Sequence, residues 1–157
     1  MSYDIQKAID YSYKWAKKRN PKYYNFEAVG GNCTNFISQC LIAGGCTMNT
    51  KKETGWYYHS KNNRSPSWTS ASYFYQFITT NKGKGPYGHV INMSEVKVGD
   101  ILQFSFNWGS YTHTVLVVKT EPEILVNQNS NDYIERPLSD VGYKLIRALR
   151  IDGNRNK

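Results

Sequence analysis

The sequence predicts an α+β domain, with helices from the first half of the chain packed on an antiparallel sheet from the second half. Three observations predict it. Apolar residues recur at helical spacing over 3–18 and again from Cys33 to a Gly44-Gly45 pair. Short β-branched and aromatic runs, parted by turn formers, fill 101–151. A chain of 157 residues suits one hydrophobic core, so 1–157 reads as a single domain.

In the first helix, residues 3–18, apolar or aromatic positions fall at Ile5, Ala8, Ile9, Tyr11, Tyr13, Trp15 and Ala16, and Asn20-Pro21 ends it. Tyr23–Phe26 is a short aromatic connector. The second helix begins at Cys33, after Gly30-Gly31-Asn32. Its apolar side is Cys33, Phe36, Ile37, Cys40 and Leu41, with Thr34, Asn35, Ser38 and Gln39 largely opposite. From Cys46 to Arg64 the chain is polar with embedded aromatics, an excursion or strand. Ser67-Trp68-Thr69-Ser70 reads as the start of a third, aromatic-rich helix, and Lys82–Gly88, with three glycines and a proline, as a loop. Residues 101–106, 113–119, 124–129 and 143–151 are the expected strands of a four-stranded meander.

The formal net charge of +8 and pI near 9.3 favour a polyanionic partner: nucleic acid, an anionic membrane surface, or a wall rich in teichoic acids. The basic residues are scattered rather than set in a stripe, which argues against nucleic acid. No apolar run approaches the roughly 18–20 residues of a membrane span. The N-terminus lacks a signal-peptide apolar segment, so the protein stays inside or this is a piece of a longer secreted chain.

Three cysteines, Cys33, Cys40 and Cys46, argue against a disulfide framework and fit no zinc spacing, leaving at least one thiol free in a monomer. Cys33 is the one whose context favours chemistry. At a helix N-terminus, free N–H groups and the positive end of the dipole stabilise thiolate, and they can hold an oxyanion. Gly30 and Gly31 allow a sharp turn and leave space over the sulfur. Cys40 and Cys46 read as structural. Among the histidines, His59 and His89 read as exposed side chains. His113 opens the most apolar strand, where an imidazole facing the Cys33 helix can take the thiol proton as general base. A third residue is needed to orient it. The strand after Glu121–Glu123 ends in Asn127-Gln128-Asn129, and a slip of one residue exchanges Asn129 for Gln128; Asp132 is a further candidate. Trp108, Trp68 and Trp56 are expected walls of a substrate groove, since aromatics offer flat contacts to sugar and peptide. No metal site or nucleotide loop is present in the sequence, and no cofactor is expected.

The segment GGNCTNFISQCLIAGG resembles the nucleophile motif of the putative amidase domain family, typically G-x-DCTNF-x-SQ-x-L-x-AGG. Asn20-Pro21, Ser67-Trp68-Thr69, the segment from Val98 to Phe104, His113-Thr114-Val115 and Arg136-Pro137-Leu138 agree with it. The resemblance covers nearly the whole chain. It implies a papain-like, NlpC/P60-type cysteine hydrolase with Cys33, His113 and Asn129 as a triad, cutting an amide bond in bacterial peptidoglycan. A secreted or wall-associated site of action follows from it. Two departures stand out: Asn32 where Asp is usual, and Asn129 where the third residue is often His. The alternatives are a thiol acyltransferase on the same scaffold and a non-catalytic wall-binding module.

Overall fold

The computed structural model describes residues 3–157; Met1 and Ser2, the first residues of the N-terminal stretch read above, lie outside the described residues. Helix α1 spans Ile5–Trp15 and is capped by Asp4, whose carboxylate accepts from Lys7 N–H at 3.1 Å. Helix α2 spans Cys33–Ala43 and stops at Gly44. A two-stranded hairpin follows, β1 (Tyr58–Ser60) and β2 (Asn63–Arg64). Two helices come next, α3 (Pro66–Thr69) and α4 (Ala71–Thr80), with Ser70 Oγ capping α4 at Tyr73 N–H.

The six-stranded sheet comprises β3 (Gly85–Ile91), β4 (Ile101–Ser105), β5 (His113–Lys119), β6 (Leu125–Gln128), β7 (Tyr133–Pro137) and β8 (Leu145–Arg155). Its order is β3-β8-β4-β5-β6-β7, and every pairing is antiparallel. The α+β class holds. The expected four-stranded meander is corrected to six strands, because β7 adds an edge and the chain returns through β8 to the far side of β4. The expected loop at Lys82–Gly88 is corrected as well, since β3 begins at Gly85. As an edge strand it tolerates Pro86, and a register shift at Tyr87/Gly88 absorbs the second glycine.

Each face of the sheet carries a core. Ile101, Leu116, Leu149 and Ile151 pack with Ala8 and Ile9 of α1, Ile37 and Leu41 of α2, and Phe74 of α4. Leu102, Phe104, Val115, Val117, Val126 and Ala148 form the second, with Val141 and partly buried Met93, Leu138 and Tyr143.

Helix α2 lies between layers, so its polar side is buried too. Thr34, Asn35, Ser38 and Gln39 are satisfied there by protein partners. Trp68 Nε1–H donates to Asn35 Oδ1 at 2.8 Å, and Trp56 Nε1–H donates to Ser38 Oγ at 3.1 Å. Trp56 and Trp68 are both 0% exposed, which corrects their expected place on a groove wall. Two indoles cover the polar side of α2, where Asn35 and Ser38 each receive an indole N–H.

Candidate active site

Cys33 is the first residue of α2, where backbone N–H groups have no partner within the helix. Gly30 and Gly31 lead into it with φ of 83° and 102°. A Cβ at either position would meet no heavy atom within 4 Å, so these glycines serve the turn rather than close packing. The sulfur lies against β5. Its thiol donates to Thr112 O at 3.5 Å, and the Thr114 N–H is directed to it. Val117 N–H bonds to Asp100 O next to β4, so alternation turns the Thr114 N–H to the β6 side, while Thr112, just before β5, gives its N–H to Phe104 O and its C=O to the sulfur. The register pairs Leu116 with Asn127, which would set Asn129 opposite Thr114, yet β6 ends at Gln128. The Cys33 sulfur therefore fills the ladder position that β6 vacates, in line with the backbone of His113. Thr34 fixes the helix there through a 2.9 Å bond between its hydroxyl and that of Thr114.

Burial pushes the half-buried Cys33 thiol above its ordinary value, while the N–H groups of Thr114, Thr34 and Cys33 and the Thr34 hydroxyl pull the other way. The expectation that the helix terminus leaves a resting thiolate is thus outweighed by desolvation. Cys40 and Cys46 are buried and pushed up by burial as well, Cys46 to about 12.

His113 is directly opposite Phe104 across β4–β5, with ring centres 5.9 Å apart. Phe106 flanks the ring at 6.4 Å. Burial pulls the imidazole below its usual value, a Gln128 hydrogen bond raises it, and the nearby Arg136 cation lowers it further. Among the described residues no hydrogen bond joins Cys33 Sγ to the imidazole; the thiol proton rests on Thr112 O instead. The other two histidines are exposed, His59 against Tyr57 and His89 on β3 with Asp152 at 2.7 Å.

The side chain beside His113 is Gln128, not Asn129. Gln128 shares a sheet face with Val126, and through the Val117–Val126 pairing with Val115 and His113. Its Oε1 accepts from Arg136 at 3.1 Å, and its Nε2 donates to Ser130 O and Asn131 O. Asn129 faces the helices. Its Nδ2 donates to Ala16 O at 2.9 Å, and its Oδ1 accepts from Asn32 Nδ2 at 2.6 Å. Asp132 is paired with Arg19 at 3.1 Å.

The model of the Putative amidase domain matches residues 2–150. The chain belongs to this family. It is 34% identical over 137 residues to "Uncharacterized protein YhbB" of Bacillus subtilis (strain 168), covering 85% of this chain and 43% of that protein. The chain thus spans less than half the length of this relative. No solved structure matches the chain.

Within the family domain, Cys33 borders an open cavity of about 370 Å³, lined also by Gly30, Arg64, Ser70, Tyr111 and Thr112. Trp108, expected on a groove wall, is 69% exposed on the loop before β5, at φ 65°, and is not among the residues lining this cavity. Sequence reasoning missed Arg64, Thr112, Thr114 and Arg136 as members of the site. Arg136 carried a signal, in the Arg136-Pro137-Leu138 mark. Thr114 lay within the His113-Thr114-Val115 mark, whereas Thr112 acts through its backbone carbonyl, which leaves no mark in side-chain pattern.

Proposed function

We propose that this chain is a cysteine-dependent amide hydrolase of the papain-like, NlpC/P60 type, acting as one domain over 1–157. The observation that carries the reading is the Cys33 sulfur, set at a helix N-terminus in the ladder slot beside His113 and open to the 370 Å³ cavity. A raised thiol and a lowered imidazole favour the neutral pair at rest, so the reaction is general-base catalysis rather than attack by a standing thiolate. The thiol proton leaves Thr112 O for His113 as substrate enters, a tightening common when a free site becomes a complex. Sulfur attacks the carbonyl carbon, and N–H groups at the start of α2 receive the oxyanion. The C–N bond breaks as His113 returns the proton to the amine. Water, deprotonated by the same imidazole, then cleaves the thioester and restores the thiol. Gln128 holds the other side of the ring, in the role assigned to the third residue.

The substrate we assign is an amide in bacterial peptidoglycan, met outside the cell or in the wall. The family motif and the +8 charge, suited to an anionic wall, support this. Purified peptidoglycan is expected to release new amine and carboxylate ends with the wild-type chain, read by mass spectrometry of the fragments. Cys33→Ala and His113→Ala are each expected to abolish release, with alkylation of the wild type going first to Cys33. Undiminished release by Cys33→Ala sinks the proposal.

A further inference from the structure

We infer that the groove leading from Cys33 recognises a free carboxylate on the substrate, through Arg64. This deepens the hydrolase reading and rests on it. The 370 Å³ cavity at Cys33 continues into one of about 340 Å³ through shared Arg64, Thr69 and Ser70. That one continues into a space of about 530 Å³ through shared Arg64, Pro66 and Tyr73. Arg64 is the residue common to all three. Among the described residues, the two spaces nearest the thiol are lined by Arg64, several hydroxyls and small apolar residues with no acidic side chain; Glu53 enters only in the third.

The guanidinium is already oriented. Arg64 Nε–H donates to Thr69 Oγ1 at 3.1 Å, Nη1–H donates to Lys61 O, and Cζ lies 4.3 Å from the centre of the Phe26 ring. It makes no ion pair among the described residues, and its Nη2 makes no hydrogen bond there. A fixed, uncompensated guanidinium lining a groove is suited to a carboxylate, whose planar oxygens match its fork. A second cation reinforces the sign. Arg147, also without an ion pair, lies 3.9 Å from the centre of the Tyr111 ring, and Tyr111 lines the cavity at Cys33. A space of 370 Å³ is about 7 Å across, roughly two residues of extended chain. The carboxylate therefore belongs within about two residues of the scissile amide.

The test measures binding without turnover, so it stands apart from whether the chain hydrolyses anything. The full chain carrying Cys33→Ala is titrated with blocked tetrapeptides in pairs, Glu against Gln at each position in turn. At one position the Glu peptide is expected to bind about ten- to a hundredfold tighter, a preference that salt weakens. Adding Arg64→Gln is expected to level the pair. Adding Arg64→Glu is expected to reverse the preference towards a Lys peptide, a result that a misfolded chain does not give. Equal affinity within every pair, absence of binding by every Glu peptide, or a preference that survives Arg64→Gln overturns the inference. Wild-type turnover of the same peptides judges the hydrolase reading separately.

Discussion

Asn127 and Asn129 face the helices at the end of β6, while Gln128, between them, faces the other way. On the helix side, Asn127 Nδ2 donates to Ser12 Oγ at 2.8 Å, and Asn129 ties the end of α1 and the cap of α2 together through Ala16 and Asn32. On the opposite side, Gln128 shares a sheet face with His113 and its Oε1 accepts from Arg136. Three amides in a row thus divide into two groups by the period of two along a strand. One group ties α1 and the cap of α2 to the end of β6, and the other lies on the face that carries the imidazole. In the proposed mechanism both would serve to align sulfur and ring, because the two approach β5 from different directions: the sulfur along the ladder, the ring from the face.

The largest test of this division is Gln128→Leu. With the oxygen beside the imidazole removed, kcat on peptidoglycan is expected to fall by about a hundredfold, with little change in KM. Gln128→Glu keeps that oxygen and adds a negative charge, so it should recover much of the rate while moving the acid limb of the pH profile upward. Full turnover in folded Gln128→Leu would return the orienting role to the helix side.

Asn129→Ala is expected to act on stability instead. It removes the bond to Ala16 O and leaves Asn32 Nδ2 buried without a partner, at a cost of about 1–3 kcal/mol in denaturant unfolding. Asn32→Asp, the residue that the resemblance leads one to expect, is expected to cost about as much. Asn32 Oδ1 already accepts from Phe26 N–H and Asn35 Nδ2, so the new oxygen would face Asn129 Oδ1. Asn32 and Asn129 are a matched donor–acceptor pair. A folded Asn32→Asp chain of wild-type stability would break the pairing argument.

Much of this was legible in the sequence. The period of 3.6 and the glycines placed Cys33 at the start of α2, and the apolar run after His113 marked β5 at His113–Lys119 as observed. The third residue was not legible, because register depends on the β5–β6 connection, and a shift between Val117 and Lys119 falls there. Trp56 and Trp68 were misplaced for a different reason. Their polar partners, Ser38 and Asn35, sit on the side of α2 that hydropathy assigns to solvent, and only the surrounding layers bury it. Strand β3 was hidden by Gly85, Pro86 and Gly88, residues that an edge strand tolerates and a central one does not.

The smallest effect belongs to Arg136, and it separates charge from hydrogen bonding on the Gln128 side. Its cation lowers the affinity of His113 for a proton, but burial is the larger cause and remains when the cation is gone. Catalysis needs the neutral ring, so in the wild type the acid limb of kcat/KM is expected below 6.5, the imidazole's usual value. Arg136→Gln removes one of the two causes that lower it, so the limb moves up towards that value. The variant should therefore match the wild type well above 6.5 and fall behind it only below. Arg136→Lys keeps the charge and should leave the limb in place, even where the bond to Gln128 is weakened. A limb that stays fixed in Arg136→Gln, or a rate lost equally at every pH, would mean that Arg136 acts by holding Gln128 and not through its field at the imidazole.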